Sequence, residues 1–154
     1  MSVLEEEGFV TVTASNSAPM VARISAGTDV MVIDESGISQ DRKPGADPYD
    51  YILSGLGSCT VITLHMYAQR KGWPLDKAVV KLRHERVHAS DCEKEDDEKA
   101  RLSQIKKHLF LYGDLSSEQR KRLLEISNRC PVQKSLAAGI SVKTVLEKEE
   151  QPAK

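Results

Sequence analysis

Short runs of alternating apolar and polar residues open the chain, a long uncharged block fills its middle, and alternation resumes beyond it. Phe9-Val10-Thr11-Val12-Thr13 has the period of two expected of a strand, Asn16-Ser17-Ala18-Pro19 reads as a turn, and Met20 to Ser25 as the partner strand. Val30 to Asp34 reads as a third strand, and residues 36–46, rich in Gly, Ser and charge with Pro44, as a loop. A helix is expected over about 47–71. Asp47 is a good N-cap, Pro48 fits the first helical position, and Gly72 with Pro74 stops the helix. Ile52, Leu56, Cys59, Ile62 and Met66 recur every three or four residues and form one stripe. Gly55, Gly57 and Ser58 form a small-residue patch that lets another backbone come close.

Residues 78–89 and 102–112 read as strands placed to pair as a hairpin, joined by an acidic link from Ser90 to Arg101 that reads as a solvated tip. Ser116-Ser117-Glu118-Gln119 has the form of a capping box and opens a helix to about Arg129, where Pro131 limits continuation. Ile140 to Leu146 alternates like a last strand, and the charged tail from Glu147 reads as frayed. The pattern is α+β with mainly antiparallel pairing, one sheet face packing on the long helix. With 154 residues, no internal repeat and no linker, it reads as a single domain: N-terminal strands about 8–34, central helix about 47–71, hairpin about 78–112, second helix about 117–129 and last strand about 140–146.

Composition narrows the function classes. A 40% hydrophobic and 29% charged chain is in the soluble globular range. A net charge of −1 gives no electrostatic case for nucleic acid or an anionic membrane surface. Tyr51 to Gln69 lacks Asp, Glu, Lys and Arg and is long enough to span a bilayer, but Ser54, Ser58, Thr60, Thr63, His65 and Gln69 make it too polar for lipid. The first residues are acidic rather than signal-like, and the cysteine count of three is odd, so a reducing cytosol is expected.

The cysteines hold the candidate chemistry. Cys59 lies in the uncharged helix, where it is either a small core hydrophobe or a nucleophile whose thiolate needs a cation or donors. No cation lies within one helical turn, so the cation would come from elsewhere in the fold or from a second subunit. Cys130 sits between Arg129 and Pro131, where either packing or reactivity is open, and the neighbouring arginine and broken helix ladder favour reactivity. Cys92 lies among carboxylates that raise a thiol pKa, and reads as incidental. His84 and His88 are about 13 Å apart in a strand, too far to share an ion. With no Cys-x-x-Cys, phosphate-cradling glycine loop or Gly-x-Ser-x-Gly elbow, metal, phosphate and hydrolase readings fall away.

Three segments together resemble the OsmC/Ohr family of thiol peroxidases, in particular an OsmC-like member. They are Asp47-Pro-Tyr-Asp-Tyr-Ile-Leu-Ser-Gly-Leu-Gly-Ser-Cys-Thr60, Met66-Tyr-Ala-Gln-Arg-Lys-Gly-Trp-Pro-Leu75, and Leu115 to Arg129 running into Cys130-Pro-Val132. The likeness spans roughly residues 8–146. It implies antiparallel sheets wrapped around central long helices in an intertwined homodimer, with sites at the subunit interface. It also implies a cytoplasmic antioxidant enzyme that reduces organic hydroperoxides without metal or other cofactor, recycled by an external dithiol of lipoyl type. Cys59 is then the peroxidatic thiol and Cys130 the resolving one. Family members hold the thiolate with an arginine and often a glutamate. The glutamate position falls near the helix start, where this chain has Tyr49 and then Asp50, so Asp50 is the substitute carboxylate. Arg23, the only arginine before the loop, is the candidate arginine. A non-catalytic dimer that binds a small apolar ligand, or a redox-responsive module, are the readings from other classes.

Overall fold

The computed structural model describes residues 8–43, 45–88 and 101–147. Strands β1 (Val10–Ser15), β2 (Ala18–Ala26) and β3 (Asp29–Asp34) form one antiparallel sheet. Helix α1 (Pro48–Lys71) follows, then the antiparallel hairpin of β4 (Lys77–His88) and β5 (Arg101–Tyr112), then helices α2 (Ser117–Ser127) and α3 (Pro131–Ala138). The architecture is α+β with antiparallel sheets. The acidic link with Cys92, Pro44 and the tail beyond Glu147 lie outside the described residues.

Local signals explain the ends of α1. The Asp47 carboxylate accepts from the Asp50 N–H at 2.9 Å while Asp50 accepts from the Asp47 N–H at 3.0 Å, a reciprocal cap ahead of Pro48. Gly72, at φ 67°, closes the other end in the left-handed conformation that favours glycine. The expected stripe is not the buried one. Leu56, Thr60, Leu64 and Ala68 line the packed face, while Ile62 is 57% and Met66 66% exposed. A helix whose apolar and small polar residues are spread around its circumference has no preferred face of its own, so the packing partners choose it. Those partners are β4, α2 and α3. Of the small residues, Gly57 matters most here: a Cβ at that position would stand 2.9 Å from Leu82 Cδ1 on β4, whereas Gly55 faces open space.

The core joins Leu64 and Ala68 of α1 to Leu75, Leu115, Leu123 and Ile126, with Trp73, Leu109 and Leu111 packed against it. Alternate residues of β5 supply its share: Ile105, Lys107, Leu109 and Leu111 are half-buried while Lys106, His108 and Phe110 are exposed. Gly113 lets the chain turn from β5 toward α2. At φ 135°, a Cβ there would fall 2.0 Å from the Pro74 carbonyl oxygen.

The C-terminal side departs from expectation in two ways. The α2 helix ends before Pro131 as expected, but Pro131 also opens an unforeseen helix: it occupies the first position of α3, where its missing N–H costs nothing. Ile140 to Leu146 forms no strand, with Val142 84% and Leu146 97% exposed. Alternation supplies a suitable surface, but a strand needs a partner edge, and none within the described chain pairs with it.

Candidate thiol site

Cys59 and Cys130, 71 positions apart in sequence, are neighbours in space. Cys59 lies on α1, one residue before the buried Thr60, and is half-buried. Cys130 is the N-cap of α3 and is fully buried. Both are free thiols.

The surroundings of Cys130 oppose one another. Burial pushes its thiol up, but the facing Cys59 thiol, the N–H groups of Gln133 and Val132 and the Thr60 hydroxyl together bring it below the ordinary value. The sulfur makes no conventional capping hydrogen bond. Sulfur is a weak acceptor, and what the α3 N-terminus supplies is the partial positive field of its first amides. Thr60 also donates to the Leu56 carbonyl at 2.8 Å, so its single proton serves either acceptor.

The cation near the thiols is one the sequence reading missed. Lys107, on the packed face of β5, reaches Thr60 Oγ1 at 3.4 Å, the Ser127 carbonyl at 3.0 Å and Gln133 Oε1 at 2.5 Å. Burial lowers its pKa, and the negative charge available on Cys130 and Cys59 raises it. The clue was the lysine's place in the Ile105-Lys107-Leu109-Leu111 alternation, where an apolar side chain is expected. Arg129, which adjoins Cys130 in sequence, is exposed and lines a different groove with Tyr67, Arg70 and Arg122.

The structure places the other two candidates elsewhere. Arg23 is exposed on β2, between Thr13 and Val32 on the neighbouring strands, and its sheet has no substantial packing against α1 within the chain. Asp50 precedes Cys59 by nine residues on the same helix, which is about 13 Å along the axis and on the opposite side of the helix. Its carboxylate caps α1 and pairs with Lys43. Tyr49 stacks on His84 at a centroid distance of 4.4 Å. Among the described residues no cluster of His, Cys, Asp and Glu could hold a metal, and no helix is long and apolar enough to cross a membrane.

A cavity of about 420 Å³ adjoins the Thr60–Lys107–Gln133 cluster. Its apolar lining comes mainly from Leu56, Val80, Ile105, Leu109, Leu124 and Leu136.

Comparison with known proteins identifies the fold and the family. No curated protein sequence matches the chain. An OsmC-like protein from Mycoplasma pneumoniae superposes with a TM-score of 0.65 at 17% identity, over 86% of this chain and 89% of that one. The organic hydroperoxide resistance protein OsmC of Legionella pneumophila gives 0.58 at 13% identity, over 84% and 90%. The organic hydroperoxide resistance protein OhrB of Bacillus subtilis gives 0.52 at 16% identity, over 82% and 87%. At such identities the likeness concerns the fold. The sequence model of OsmC-like proteins matches residues 39–145, a span that holds both Cys59 and Cys130, and the chain belongs to that family.

Proposed function

We propose that this protein is a cysteine-based peroxidase for organic hydroperoxides, working in the cytoplasm as a homodimer. The observation that carries the proposal is the meeting of two free thiols, one half-buried on α1 and one buried at the head of α3. A lone thiol oxidised by a peroxide stops at sulfenic acid or goes further irreversibly, whereas an adjacent thiol captures it.

In this reading the Cys59 thiolate attacks the O–O bond, the alcohol departs, and Cys59 becomes a sulfenic acid. The Cys130 thiolate then attacks that sulfur, hydroxide leaves and takes up a proton, and a disulfide forms. An external dithiol, of the lipoyl type by family resemblance, restores both thiols by exchange. The chemistry needs no metal or other cofactor. Arg23 and Asp50 take their assumed places, lowering the Cys59 pKa and orienting the guanidinium, only if a second subunit brings them there. The open apolar residues of α1, Ile52, Ile62 and Met66, support such a partner.

The test treats reduced protein with one equivalent of an alkyl hydroperoxide and follows intact mass with peptide mapping. Loss of two hydrogens, mapped to a 59–130 bridge and absent in Cys59→Ser, is the expected result. An unreactive wild type would rule the peroxidase out. The cavity lined by Thr60, Lys107 and Gln133 favours a second reading, a dimeric protein that binds a small apolar ligand without reaction. Sustained turnover with a dithiol reductant separates the two.

A further inference from the structure

We propose that Lys107 is the cation of the thiol site, a positioning residue that holds Cys130 as a thiolate and makes Cys130 the leaving group when a Cys59–Cys130 disulfide is reduced. Its consequence for turnover rests on the peroxidase reading above; the charge role itself does not.

The first support is its location. A lysine on the packed face of an otherwise apolar strand is desolvated, a cost that surface lysines avoid by pointing outward. The exposed neighbours Lys106 and His108 do point outward. The second is what the ammonium touches. Its acceptors are the Thr60 hydroxyl, the Ser127 carbonyl and the Gln133 amide oxygen, all neutral. Among the described residues no carboxylate lies within ion-pair distance of it. A half-buried cation without a counter-charge carries a desolvation cost, and a negative charge forming beside it offsets that cost. Thr60 follows Cys59, Ser127 lies three residues before Cys130 and Gln133 three after it, so the three acceptors belong to the segments that carry the two sulfurs. The thiols are therefore the groups placed to supply the charge. Among the described side chains, the other titratable group on that face of the hairpin is His84, a diagonal step away across the β4–β5 pairing of Leu82 with Lys107 and His84 with Ile105.

The two sulfurs differ in access, and this sets the direction of reduction. Cys130 is sealed while Cys59 is half-buried. An external dithiolate attacks the Cys59 sulfur, the disulfide breaks, and its electron pair leaves on Cys130, where Lys107 and the first amides of α3 meet the new charge. The second thiol of the reductant, as its thiolate, then displaces Cys59 and closes its own disulfide. The reductant loses two electrons and the protein gains two. A thiolate of lower pKa leaves faster, so the same feature that helps Cys130 resolve also helps it depart.

Two measurements test this, neither of which uses a hydroperoxide. In a Cys92→Ser background, ultraviolet thiolate absorbance against pH counts ionised thiols without reagent access. Lys107→Gln keeps hydrogen-bonding capacity and removes the charge, and should raise the midpoint of the first thiol by about one pH unit, or tenfold less thiolate below it. Lys107→Arg should stay close to the parent. Superimposable profiles for the parent and a folded Lys107→Gln overturn the proposal. The second measurement needs no Lys107 variant: protein oxidised with diamide is treated with limiting monothiol and mapped. A mixed disulfide on Cys59 is expected; one on Cys130, or no 59–130 bridge at all, overturns it. Protein that passes both tests yet ignores alkyl hydroperoxide would discard the peroxidase reading and leave the role of Lys107 standing.

Discussion

The hairpin β4–β5 and the sheet β1–β3 are built from similar alternating strands and end in opposite conditions. The hairpin lays one face on α1 beside a core that includes the fully buried Leu64 and Leu123. The N-terminal sheet gathers Val10, Val12, Ala22, Ile24, Met31 and Ile33 on one face, yet Val10 is 63% and Val12 57% exposed. The same period-two pattern thus finds cover in one half of the molecule and only partial cover in the other, where Ile24 and Ile33 are buried but the β1 edge stays open. Apolar surface of this kind, together with the open side of α1, is what a second subunit would cover. Alternation specifies which face must be covered without specifying by what.

Substitutions in each half test the contrast. Leu123→Ala removes a fully buried side chain from the core and should cost about 3 kcal/mol in denaturant unfolding; a cost under about 1 kcal/mol would mean the hairpin half is as loosely covered as the sheet. Gly113→Ala forces a Cβ onto the Pro74 carbonyl from a conformation reserved for glycine, and about 2 kcal/mol of destabilisation is expected. Asp47→Ala removes the α1 cap, with a loss of about 1 kcal/mol at neutral pH. The Asp47 carboxyl is held below its usual range, first by the Asp50 N–H and then by Lys43. A carboxyl depressed in the folded state stabilises fully above its unfolded value, near pH 4, and that contribution fades as pH falls through the folded value. The difference between Asp47→Ala and wild type should therefore shrink in acid, and a constant difference would contradict the cap. Val12→Ala should change monomer stability by no more than about 0.5 kcal/mol. If a second copy covers this face, the cost grows with protein concentration; sedimentation and unfolding measured together over a dilution series would show it.

Much of the fold is legible because local chemistry dictates it. Asp47-Pro48 and Gly72 bracket α1, and Ser116 with Gln119 opens α2 by the expected reciprocal bonds, 3.1 Å from the Gln119 N–H to Ser116 Oγ and 2.9 Å back to the Ser116 N–H. What was misread depends on non-local partners. Pro131 has one meaning at the end of a helix and another at the first turn of the next, and only the chain direction after Cys130 decides between them. Ile140 to Leu146 has the pattern of a strand without an edge to join. Lys107 follows Lys106, so the pair reads as surface charge until the strand's facing is known. The adjacency of Cys59 and Cys130 is set by α1 packing against α2 and α3, which no spacing rule encodes. Arg129 drew notice because it adjoins Cys130 in sequence, while the cation beside the sulfurs comes from 23 residues upstream.

Cys130 as the N-cap of α3 has a reciprocal consequence. If the opening amides of the helix favour a thiolate, a thiolate must favour the helix by the same free energy, since the coupling is shared. Drawing the sulfur into a disulfide cancels its charge and removes that support. The eight residues of α3 are too few to hold a helix by themselves, so their amide exchange should quicken on oxidation and slow on reduction. Equal exchange in the two redox states would show that the helix is held by its packing alone. The redox state of one atom would then be written in the backbone dynamics of a segment that takes no part in the bond.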